Sequence, residues 1–290
     1  MSELKKVPKA PGSEVTISYD SNPFTQSFEA FGKFFSSNAN WAIAIIVIGI
    51  LGFVLQSLNS VFRYIFNSRG VHNVSTASSF SSVNSSSSSD ILVFIAIAVV
   101  ILVIIVVAVI IGTAVSSFIN GMFSYVALKS QNDENVSFSE ALNETTKRFW
   151  RLYIAQILAN LKIFGWTLLF IIPGIIAGYR YQLLPYLIMN EPATEKGVGD
   201  SHDKTKALVS GRKWEVFGIS TVAGIIPFVG SIIGLAGKAG LFQQLNNTRN
   251  HPEDRPRIHW LNYLGLILTG LAFIFIMLFI FIIVYSITGE

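Results

Sequence analysis

The sequence contains no cysteine, so disulfides, thiolate metal sites and cysteine nucleophiles are excluded from the outset. It is also poor in charge: Asp, Glu, Lys and Arg make up 13% of its 290 residues, about half the usage of an ordinary soluble domain. No Asp or Glu falls inside any long apolar run, which argues against a proton relay or a cation-coupling site, where carboxylates do the binding. There is no GxSxG, no Walker or dinucleotide fingerprint and no HExxH, and His72, His202, His251 and His259 stand at no metal-ligand spacing. The chain therefore reads as non-enzymatic, without a metal or cofactor.

What is present is apolar. Hydrophobic residues make up 51% of the chain, 23 of them Phe, and the mean hydropathy is +0.55. These residues gather into long runs, the arrangement of membrane spans rather than of a scattered core. The expected fold is an all-α, polytopic transmembrane helical bundle of about six membrane segments, with short amphipathic surface helices. The net charge of +4 and pI near 9.2 point to basic loops beside anionic lipid, not to nucleic acid, since no basic cluster carries interleaved exposed aromatics.

Residues 1–28 are polar, carry Pro8, Pro11 and Pro23, and read as a disordered cytoplasmic tail ahead of a single membrane domain over 29–290. Trp41 to Leu58 forms the first expected span, with Phe31, Phe34 and Phe35 as its interfacial lead-in. A Ser-rich stretch over 68–90 has too little apolar surface to fold and reads as a flexible loop. Ile91 opens the most apolar run, with Asp90 at its N-cap position.

Ser137-Phe-Ser-Glu140 has capping-box spacing and predicts a short surface helix over the next dozen residues. A third span then runs from about Leu152 to Ile172 and turns at Pro173-Gly174 into a return helix over 175–189. After a second polar helix from Asp200, the segment over 214–245 is apolar but broken at Pro227 and Gly230. One kinked span or two half-helices fit it. Trp260 opens the last span.

Basic residues lie in the tail and around Lys147, Lys204 and Arg255. Lysine and arginine near span ends are retained in the cytoplasm, so these loops are expected on one side and the N-terminus in the cytoplasm of a cell-membrane protein. That pattern favours a hairpin at Pro227 over a single crossing. A faint repeat pairs Glu140-Ala141-Leu142 and Lys147 to Trp150 with Lys206-Ala207-Leu208 and Arg212 to Trp214, each ahead of a Pro-interrupted segment.

Two charges stand within the expected hairpin, Lys162 and Arg180, and a charge inside a span marks a functional or packing site. With no acidic partner in the membrane, the two suit an anionic group such as a lipid phosphate, helped by Tyr179 and Tyr181. The alternative, that both side chains snorkel to an interface, accounts for them as well. Trp41, Trp150, Trp214 and Trp260 each stand at the start of an apolar run and are expected to be interfacial anchors.

Phe149-Trp150-Arg151-Leu152, Ile172-Pro173-Gly174-Ile175 with Tyr179-Arg180-Tyr181, and Ala207-Leu208-Val209-Ser210 leading to Trp214 carry a family resemblance. The stretch from Phe138 to Phe217 resembles a broad group of prokaryotic multi-pass membrane proteins related to the membrane domain of some glycerophosphoryl diester phosphodiesterases. The resemblance implies a helical membrane module. The catalytic barrel of those enzymes is missing from this sequence, so no activity comes with it. The leading expectation is a module that binds membrane lipids, a membrane-protein partner or a second copy of itself. The alternative, a transporter or channel for a small or anionic solute, requires a polar cavity between spans.

Overall fold

In the computed structural model, residues 19–68, 88–195, 197–226 and 229–288 are described, and they form helices joined by turns with no strand among them. The helices are α1 (Pro23–Ser68), α2 (Ser88–Ser130), α3 (Phe138–Leu169), α4 (Ile171–Tyr181), α5 (Leu184–Asn190), α6 (Val198–Leu208), α7 (Lys213–Ile225), α8 (Gly230–Asn247) and α9 (Leu264–Thr288).

The molecule has two zones. In the first, the start of α1, the end of α2, the start of α3 and α5 to α8 pack around Phe34, Val126, Leu183, Ile219, Ile232 and Phe242, all fully buried. In the second, apolar residues are exposed over Ile43–Val61 of α1, Val93–Val115 of α2, Leu161–Leu169 of α3 and Leu266–Ile282 of α9. So large an apolar surface is not stable in water and calls for an apolar solvent. Three helical stretches, Pro23–Leu58, Ile95–Ser130 and Phe138–Leu169, are long and apolar enough to cross a membrane. Helix α9, 25 residues long, is apolar along its exposed length.

The polar connections collect at one end. Gln243 Nε2 donates to the carbonyl of Leu128 (3.1 Å), Ser21 Oγ to that of Arg257 (2.8 Å), and Asn262 Nδ2 to that of Ser21 (2.7 Å).

Several boundaries differ from expectation. Order begins before residue 28: Asn22 Oδ1 accepts from the Phe24 amide (3.1 Å) as an N-cap, Pro23 follows at the first helical position, and Ser21, Gln26 and Ser27 are buried. The Ser-rich loop falls mostly on 69–87, outside the described residues, and α2 begins at Ser88. The surface helix and third span are one helix, α3, because no Gly or Pro interrupts 138–164. Ser137 does cap it, accepting from the Glu140 amide (3.2 Å), but Glu140 turns away to accept from Tyr125 (2.9 Å).

The chain breaks at Phe170, in extended backbone, rather than at Pro173-Gly174. Pro173 sits in the first turn of α4, where its missing N–H costs nothing. Gly174 instead permits the close approach of α3 and α4, since a Cβ there would meet Thr167 Oγ1 at 2.2 Å. The return helix is divided between α4 and α5, with a turn at Gln182-Leu183 and Pro185 opening α5.

The 214–245 segment forms two helices. Ala223 of α7 lies against both Gly230 and Gly234 of α8, and Ile219 lies against Gly237, which makes the pair an antiparallel hairpin. Pro227 lies outside the described residues. Helices α4 and α7 have 11 and 13 residues, so they extend only about 16 and 20 Å and are too short to cross a ~30 Å hydrocarbon layer. The two halves of the sequence repeat also fold differently: Glu140 to Trp150 is continuous helix, whereas Val209 to Arg212 is a turn containing Gly211 at φ +75°.

Candidate functional site

The residues singled out from the sequence do not form one site. The Lys162 ammonium lies 3.4 Å from His202 Nδ1 and 5.8 Å from the centre of the Tyr181 ring, which meets His202 edge-on. His202 Nε2 is 3.0 Å from the carbonyl of Ala155, which fixes the tautomer with the proton on Nε2 and leaves Nδ1 to accept from Lys162. Burial first, and the Lys162 charge second, hold His202 below the usual histidine range. Arg180 is half-buried without a hydrogen-bond or ion-pair partner among the described residues, and Tyr179 packs edge-on against Phe217 of α7.

The tryptophans divide in the same way. Trp150 and Trp260 are 69% and 63% exposed beside apolar surface. Trp41 is half-buried, donates from Nε1 to the carbonyl of Val136 (2.9 Å) and stacks on Phe138, tying α1 to the α2–α3 turn. Trp214 is half-buried against Phe217 and Tyr263.

A cavity of about 710 Å³ opens between α2, α3, α4, α5, α7 and α8, with Ile45 of α1 also on its wall. Its wall is mixed: apolar side chains such as Phe123, Ile163, Leu184 and Leu235 alternate with the hydroxyls and amides of Ser116, Asn120, Gln156, Asn160, Gln182 and Ser220, and among the described residues no Asp, Glu or Arg faces it. Some of these groups are used within the fold. Ser117 donates to Gln156 Oε1 (2.7 Å), Ser220 to Gln182 Oε1 (2.9 Å), and Tyr186 to the carbonyl of Leu235 (2.9 Å). Ser116, Asn120 and Asn160 have no hydrogen-bond partner among the described residues.

Among the described residues, the cation on the cavity wall is Lys238 of α8. It has no hydrogen-bond or ion-pair partner among the described residues. A half-buried ammonium without a counter-ion carries a desolvation cost and fits a site that an anion completes. The sequence reading passed over Lys238, although it stands within the apolar stretch Gly234-Leu-Ala-Gly-Lys-Ala-Gly240 and meets the same rule that selected Lys162.

Two further charged clusters brace the bundle. Arg151, 7% exposed, pairs with Glu191, and its Nη2 donates to Ser201 Oγ (2.7 Å) while Lys204 holds the other Glu191 oxygen (2.9 Å). This joins α3 to the α5–α6 connection and to α6. Glu215 is fully buried, accepts from Tyr19 (2.6 Å) and pairs with Arg212 (3.0 Å). Burial outweighs those two partners and pushes its carboxyl above the usual range. No cluster of His, Asp and Glu among the described residues is arranged to hold a metal.

No protein-family model, curated protein or solved structure matches this chain.

Proposed function

We propose that this is a membrane carrier whose interhelical cavity binds a small anionic solute, with Lys238 as the ligand's counter-charge. The observation that carries this reading is an unpaired lysine facing a cavity of about 710 Å³ whose largely apolar wall carries several neutral hydrogen-bonding groups and, among the described residues, no carboxylate. Neutral amides and hydroxyls orient a polar ligand, and one cation among them sets its sign. The cavity also lies between two hairpins, α3–α4 and α7–α8, whose short arms resemble the discontinuous helices that surround substrate sites in carriers. On this reading α1, α2, α3 and α9 cross the bilayer, α4 and the α7–α8 hairpin enter it part-way, and the polar end faces the cytoplasm.

A second reading, a site for an anionic lipid headgroup, is favoured by the unpartnered Arg180 and the exposed Lys162 on the α3–α4 hairpin. Purified protein in liposomes separates the two. Uptake of a labelled organic anion that depends on Lys238, with unchanged lipid retention in Lys162→Ala and Arg180→Ala, supports the carrier. No flux of any anion, together with anionic lipid retained by the native chain and lost from those variants, rejects the carrier in favour of the lipid site.

A further inference from the structure

Helix α1 changes direction at Asn38, whose backbone leaves the helical region (φ −136°, ψ 46°). The bend is fixed by its side chain. Asn38 Nδ2 donates to Ser130 Oγ and to the carbonyl of Glu134, both at 2.8 Å, and Oδ1 accepts from the Val136 amide at 2.9 Å. All the polar capacity of this buried amide is spent on the α2–α3 turn, so the kink is built into the fold.

Beside the kink, α1, α2, the α2–α3 turn and the start of α3 line a groove of about 780 Å³. One end is apolar, formed by Ala44, Ile48, Ile119 and Met122. The other end is polar without being charged: Ser37, Asn40 and Asn135 line it, none has a hydrogen-bond partner among the described residues, and no charged side chain takes part. The apolar end continues into the exposed apolar residues of α1, as far as Val54, and of α2, from Val115 back to Val93. The α2 face from Val93 to Val115 is about 33 Å long at the helical rise, close to the thickness of a hydrocarbon layer. Lipid is what covers such a face, and the groove lies at its polar end, at the depth of headgroups.

We propose that this groove holds one zwitterionic phospholipid, its acyl chains along Ile48 and Ile119 and its headgroup on Ser37, Asn40 and Asn135. Neutral hydroxyls and amides satisfy a headgroup of zero net charge, whereas an anionic one would lack a cationic partner there. The site is separate from the Lys238 cavity and does not depend on the carrier reading.

The test is native mass spectrometry of the full chain released from nanodiscs containing equal amounts of phosphatidylcholine and phosphatidylglycerol, comparing the native protein with Ala44→Phe and Ile119→Trp. Both positions are exposed, so the substitutions fill the groove without entering the core. One phosphatidylcholine retained by the native chain, and at least fivefold less by both variants, supports the assignment. Equal retention by all three proteins overturns the site, and preferential retention of phosphatidylglycerol by the native chain overturns the headgroup chemistry. Circular dichroism of each variant confirms its helical fold.

Discussion

Replacing Lys238 with methionine should move stability and anion binding in opposite directions. The unliganded protein carries an ammonium that faces a cavity without a counter-ion, and methionine keeps the length of the side chain while removing the charge. Replacing buried ionic groups by apolar ones of similar volume gains about 1–4 kcal/mol, and the cavity's access to water reduces this to about 1–2 kcal/mol. At roughly 2–4 °C per kcal/mol for a chain of this size, the thermal midpoint in detergent should rise by about 2–8 °C. The anion, however, loses a charge-assisted contact worth about 1.5–3 kcal/mol, a weakening of roughly 10- to 150-fold. An anion at 100 times its native Kd stabilises the native protein by about 2.7 kcal/mol, and at the same concentration Lys238→Met should retain between about 1.4 and 0.3 kcal/mol of that effect. The assay is a thermal melt of both proteins with and without a panel of phosphate monoesters and short carboxylates. A variant that melts lower than the native protein yet keeps the full anion-induced shift would refute the reasoning.

Other substitutions test the frame around the cavity. Gly230→Ala would set a Cβ 1.9 Å from the backbone oxygen of Ala223, which cannot rotate away, so the α7–α8 hairpin should open at a cost of about 1–3 kcal/mol, seen as a lower thermal midpoint. Arg151→Met should destabilise by about 3 kcal/mol, the low end for breaking a buried pair, because Lys204 still holds Glu191; urea titration of the native and variant proteins in mild detergent measures it. Glu215, whose carboxyl is raised by burial, contributes most at acid pH, below its unfolded value near 4.3. That contribution is lost as pH rises through the higher folded value, so the native chain should lose stability relative to Glu215→Gln over that interval, and melts of both proteins from pH 4 to 8 report the difference.

The elements legible in the sequence were those set by local chemistry. Helix α2 was visible in an unbroken apolar run, and the start of α3 in Ser137, which caps as its spacing implies. Other features depended on groups remote in sequence. Tyr19 and Ser21 look like tail residues until Glu215, Arg257 and Asn262 are brought to them, and nothing near residue 20 announces partners some two hundred positions away. The break at Phe170 was assigned to Pro173-Gly174 because proline disrupts helices, yet proline at the start of a helix disrupts nothing and acts on the turn before it. For the site, the chemical class and the location separated. A cation without an acidic partner singled out Lys162, which lies beside His202 and off the cavity wall, and not Lys238, which the folding of α7 against α8 brings to that wall.

Because the chain has no cysteine, a single introduced thiol reports on its surroundings without background. The most direct test of the Lys238 site is to place that thiol at Asn160, which lines the cavity without a hydrogen-bond partner among the described residues, and to compare its labelling by a sulfonate-bearing and a trimethylammonium-bearing methanethiosulfonate. With each rate taken relative to the same reagent's rate with a free thiol in solution, an anion site at Lys238 requires the sulfonate reagent to be favoured several-fold, and Lys238→Gln to remove the preference. Equal relative rates, or a preference that survives the loss of Lys238, rule the site out.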